Sequence, residues 1–146
     1  MSRSGYIEGD DDWETIRWRG AVASAIRGKR GQALLKELLE ALDAMPVKRL
    51  IPNSFEDANG EFCTLGVLGH KRGLDMSGLI EDDEWGDCDV GAVANRFGVA
   101  GALVQEIMFE NDSDFDWGND ETPEQRWQRM RDWVVKQIRG PAKDAA

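Results

Sequence analysis

At 146 residues the chain has the size of one domain, able to bury roughly two-thirds of its unfolded surface without metals or disulfides. Two cysteines are too few for a disulfide scaffold, and no apolar run approaches the ~18–20 residues that span a bilayer. The net charge of −10 is unevenly spread, and a surface as acidic as residues 74–121 repels phosphate backbones and favours basic partners. The opening MSRSGYIEGDDD carries no apolar export signal, so a cytoplasmic setting is expected.

Asp10, Asp11 and Asp12 stand before Trp13, Ile16, Val22 and Ile26 and predict a helix over about 12–27, stopped by Gly28. The turn Gly28-Lys29-Arg30-Gly31 leads into a second helix, about 32–45, with Leu34, Leu35, Leu38, Leu39, Leu42 and Met45 in one stripe. Pro46 ends it, and the two helices read as an antiparallel hairpin. Residues 47–62 are less regular. Pro52 and the turn Asn59-Gly60 allow a small irregular β hairpin at an edge. From Phe62 a short buried helix runs to Gly69 or Gly73, and an acidic linker, Ile80 to Asp87, follows. Asp87 or Asp89 caps a helix through Phe97. Gly98 breaks it, a further helix covers about 100–109, and Glu110 to Glu121 reads as a loop. Thr122, Pro123 and Gln125 then form the start of a last helix, which Gly140-Pro141 stops. The fold class is mainly α: a single compact domain, 1–146, of about five or six helices, with frayed ends at 1–9 and 140–146.

Charge is divided along the chain. Residues 74–121 hold 14 acids against one base, Arg96, whereas the remainder holds 14 acids and 17 bases. Three patterns in the chain suggest chemistry. Val93 to Ile107 fits a helix-turn-helix pair, with Ala94 small at the crossing, Gly98 at the turn and Val93, Phe97, Val99, Val104 and Ile107 apolar. Its second helix would expose Ala100, Gly101, Ala102, Gln105 and Glu106, a surface poorly suited to bases or phosphates. Asp112, Asp114 and Asp116 match the first, third and fifth positions of a calcium loop, but Trp117 stands where glycine is needed and Pro123 where the bidentate glutamate belongs. Cys63, His70 and Cys88 have no zinc spacing, and a Cys–His nucleophile would need an orienting third group. No metal, cofactor or catalytic residue is assigned. Basic residues gather at Arg27, Lys29 and Arg30 and along the last helix at Arg126, Arg129, Arg131, Lys136 and Arg139, which suits pairing with an acidic surface, including that of a second copy.

The stretches Arg27 to Leu34, Ala41 to Pro46, Cys63 to Gly69, Phe97 to Ala100, Asn111-Asp112 and Glu121 to Trp127 resemble a family of small bacteriophage and prophage accessory proteins with no assigned activity. The resemblance runs from about residue 18 to 138 and implies a phage gene acting in the host cytoplasm. It does not clearly include the triple-aspartate loop. The expected function is therefore a non-enzymatic accessory protein whose acids imitate nucleic-acid phosphates against a basic host protein. Its contacts would be Glu81, Asp82, Asp83, Glu84, Asp112, Asp114 and Asp116. The alternative is a nucleic-acid-binding regulator working through the helix-turn-helix-like pair or the basic faces.

Overall fold

The computed structural model describes residues 13–76, 89–112 and 121–139. Among them are six helices and no strand: α1 (Trp13–Arg27), α2 (Lys29–Asp43), α3 (Thr64–Arg72), α4 (Val90–Phe97), α5 (Gly101–Asp112) and α6 (Pro123–Gln137). The mainly α class expected from periodicity is what the chain adopts.

The leucine stripe of α2 supplies much of the core. Leu34, Leu35, Leu38 and Leu42 are buried, each worth roughly 1.5–3 kcal/mol of removed apolar surface. Leu39 and Met45, placed in the same stripe from spacing, sit half-buried at its edge. A single residue, Gly28, separates α1 from α2, so α2 starts three residues earlier than expected and Gly31 lies inside it. A Cβ on Gly31 would fall on the Ala25 carbonyl oxygen, so glycine sets how closely the two helices approach.

Residues 44–63 cross the core as irregular chain. Besides local turn bonds, two hydrogen bonds tie this chain across the fold: Leu50 donates to the Pro123 carbonyl at 3.1 Å and Ile51 to the Phe62 carbonyl at 3.0 Å. The anticipated hairpin reduces to one bridge, Glu56 to Phe62. The Asp57 carboxylate shapes its turn by accepting from the N–H groups of Asn59 and Glu61, both at 2.9 Å. Gly66 of α3 lies against the Phe55 carbonyl with no room for a Cβ, locking the crossing to that helix.

The helix ends follow local rules. Asp89 caps α4 and Gly98 closes it with φ of 70°. Thr122 and Gln125 form the expected capping box on α6, and Trp127 anchors that helix by donating to the Leu42 carbonyl at 3.2 Å. All five apolar residues of the helix-turn-helix-like pair are buried. However, α5 is packed by α1, α3, α4 and α6. Of the five positions expected on its open face, only Ala100 is exposed, while Gly101, Ala102, Gln105 and Glu106 are half-buried. A recognition helix needs a free side to enter a groove. Among the described residues, the face such a helix would present is half-buried.

Candidate functional site

Six of the seven acids expected to contact a partner, namely Glu81, Asp82, Asp83, Glu84, Asp114 and Asp116, lie outside the described residues, as does Cys88. Asp112 is described, and it has an internal role. It closes α5, and its carboxylate accepts from the Asn53 N–H at 3.0 Å and from the Asn111 side-chain amide at 2.9 Å. The loop expected from Glu110 therefore begins later: Glu110, Asn111 and Asp112 are the last turn of α5. The first aspartate of the calcium-like pattern is thus helical and already engaged by the 51–53 crossing.

Asn111, unassigned from the sequence, is the polar hub of this region and is 0% exposed. Its Oδ1 accepts from the Thr64 N–H and hydroxyl, and its Nδ2 donates to the Ile51 carbonyl at 3.0 Å. Its backbone carbonyl accepts from Arg126 at 2.9 Å and Arg129 at 3.3 Å. Both guanidinium groups also meet Glu121, at 3.2 and 2.6 Å. Arg126 is only 7% exposed and Arg129 half-buried, so these two are not the surface cations that their helical spacing suggests. Arg131 is held by Asp43 at 2.6 Å. Of the basic residues read on the last helix, Lys136 and Arg139 remain without an ion pair among the described residues.

Beside the hub, burial pushes the Glu110 carboxyl up to about 7, helped by the charge and hydrogen bond of Glu106 one turn earlier. An open groove of about 470 Å³ lies over it, lined also by Gln128, Trp133 and Lys136.

The basic residues of the α1–α2 turn meet the end of α6 through Gln32. Its side-chain amide donates to the carbonyls of Ile26 at 2.7 Å and Gln137 at 3.0 Å, and its oxygen accepts from the Arg139 N–H at 2.8 Å. Three chain segments are drawn together there, and Arg27, Lys29, Arg30, Lys136 and Arg139 are all exposed around the junction. In the sequence these cations fall in two separate patches, and the long-range bonds of Gln32 draw the two chain segments together.

Cys63 and His70 are not a catalytic pair. Cys63 is buried as the N-cap of α3, its Sγ accepting from Gly66, and His70 lies seven residues on, roughly 10 Å along the axis, with its ring on Phe62 at 4.8 Å. Phe62 also lines an apolar groove of about 560 Å³ with Met45, Val47 and Val67. The ion pairs Arg49–Glu61 and Lys71–Glu40 leave the rim of that groove close to neutral. Among the described residues, no group of three or more His, Cys, Asp or Glu side chains gathers to hold a metal ion, and no helix is long and apolar enough to cross a membrane. No protein-family model, curated protein or solved structure matches the chain.

Proposed function

We propose that the chain is a non-enzymatic accessory protein, carried by a phage or prophage, that presents its acidic stretch to the basic surface of a host defence or nucleic-acid-handling protein in the bacterial cytoplasm. One observation carries this reading: residues 74–121 hold 14 acids and a single base. That base, Arg96, donates to the backbone carbonyl of Asp75 and forms no ion pair among the described residues. Asp75 and Asp89 are exposed at the two ends of the adjoining stretch. Glu106, Glu110, Asp112 and Glu121 are engaged within the fold, and the negative charge of the other ten acids suits a surface built to bind phosphates and disfavours direct contact with nucleic acid on the same side.

The test is retention of a protein partner from nuclease-treated bacterial lysate by the tagged full-length chain. A stoichiometric basic partner should be held by the wild type and lost when Glu81→Gln, Asp82→Asn, Asp83→Asn and Glu84→Gln are combined. A partner held equally by that variant would contradict the reading.

A further inference from the structure

The acidic stretch has a counterpart of opposite sign. Residues 16–36 carry six cations and no acid, and residues 133–139 carry two cations and no acid. The Gln32 junction brings these stretches together, and all eight cationic side chains are exposed. None of the eight forms an ion pair among the described residues. Elsewhere among the described residues Arg49, Lys71, Arg72, Arg126, Arg129 and Arg131 meet carboxylates, and Lys48 and Arg96 donate to backbone carbonyls. Five of the eight, Arg27, Lys29, Arg30, Lys136 and Arg139, gather around the Gln32 junction, whereas Arg17 and Arg19 lie on the part of α1 where Trp18 meets Phe109; the unpaired cations at the junction form an open anion-binding surface there.

We propose that this end is a docking strip for the phosphodiester backbone of a nucleic acid, gripped chiefly by Arg27, Lys29, Arg30, Lys136 and Arg139. The surface composition favours phosphate over an acidic protein. The exposed residues from 17 to 30 are cationic or small, and the exposed apolar side chains of the two stretches, Ile16 and Val135, stand outside that run. Protein interfaces rely on apolar and aromatic anchors at their centre, whereas nucleic-acid interfaces are polar and cationic. Gly20 and Ser24 on the exposed side of α1, and Gly28 just past its end, recur every four residues, and Arg27 donates to the Ser24 hydroxyl at its edge. Such a lane admits a thin charged backbone closely. Five of the eight cations are arginines, whose planar fork matches phosphate oxygens. The inference stands apart from the acidic reading and can fail independently of it.

The experiment is fluorescence anisotropy of the full-length protein with a labelled mixed-sequence DNA duplex and a labelled single strand, across a salt series. Both should bind without sequence preference, and four phosphate contacts would weaken duplex binding roughly a hundredfold between about 50 and 200 mM salt. Combining Arg27→Gln, Arg30→Gln and Arg139→Gln should cost at least about tenfold in affinity and flatten the salt slope by about 2 to 3. Lys29→Gln with Lys136→Gln reads the same strip through side chains that hold nothing in place, and melting curves confirm that each variant folds. No binding of either probe at low salt, or unchanged affinity in both variants, overturns the proposal. So does a salt-sensitive oligomer that these substitutions abolish in the absence of DNA binding, since the strip would then face the acidic side of a second copy.

Discussion

Asn111 accepts two hydrogen bonds from Thr64 with one oxygen, from its N–H at 3.0 Å and its hydroxyl at 2.7 Å, at a point where both residues are fully buried. The contact joins the end of α5 to the start of α3 across 47 residues of sequence. Replacing Asn111 with Ala leaves the Thr64 donors and the Ile51 carbonyl buried without partners. A loss of about 2–4 kcal/mol is expected in denaturant titration. Thr64→Val removes only the hydroxyl and should cost about 1 kcal/mol. Equal losses for the two variants would show that Asn111 is not the hub.

Glu110 gives a pH dependence of unusual direction. Its folded carboxyl, raised by burial first and Glu106 second, holds its proton to about 7, while the unfolded group releases it near 4.5. Between those values the native state binds more protons, so stability falls as pH rises through this window and the deficit is complete above about 7. Arg129 opposes the shift, and with the carboxyl half-exposed the change is about 1 kcal/mol after screening. Glu110→Gln should flatten the profile between about pH 5 and 8 and raise the melting temperature at the alkaline end. Glu37 and Asp43 act oppositely: hydrogen bonds from Arg72 and Arg131 hold them below their ordinary range, and their contribution is lost only at more acidic pH. A flat wild-type profile from pH 5 to 8 would contradict the Glu110 assignment.

Three glycines should respond to alanine in opposite ways. Gly31→Ala and Gly66→Ala push a methyl onto the carbonyls of Ala25 and Phe55, and each should cost several kcal/mol, on the order of 3 or more, or prevent folding. Gly20 lies within α1 with nothing inside 4 Å of the added atom, so Gly20→Ala should stabilise by about 0.5–1 kcal/mol. Thermal melts of the three variants decide the matter; destabilisation by Gly20→Ala would mean that α1 is packed differently.

Gln32→Ala removes the junction at the basic end while leaving every cation in place. A loss of about 1–2 kcal/mol is expected from the three hydrogen bonds, measured in denaturant. Unchanged stability would show that the α1–α2 turn and the end of α6 are held by other contacts.

Much of this fold is written locally. The α2 stripe, the Thr122–Gln125 capping box and the Gly98 stop depend on residues within a turn or two of one another, so spacing reveals them. The rest depends on partners far away in sequence. Glu110-Asn111-Asp112 looks like the start of a polar loop, yet Asn111 is buried because Thr64 and Ile51 satisfy it. Arg126 and Arg129 have the spacing of surface charges, and only the position of Glu121 and the α5 carbonyls draws them inward. The helix-turn-helix geometry was legible from Ala94 and Gly98. That neighbouring helices enclose α5 was not, because periodicity shows that a face is apolar and not what covers it. Of the expected partner contacts, the structure reaches only Asp112, which serves the fold.

If binding is divided by charge, with the acidic stretch meeting a protein, quantitative capture from nuclease-treated bacterial lysate with three forms of the tagged chain reveals it. These are the wild type, the variant neutralised at Glu81, Asp82, Asp83 and Glu84, and the variant neutralised at Arg27, Arg30 and Arg139. One basic protein should be retained by the wild type and the arginine variant and lost from the acid-neutralised one. Retention by the acid-neutralised form, with loss from the arginine variant, would contradict it.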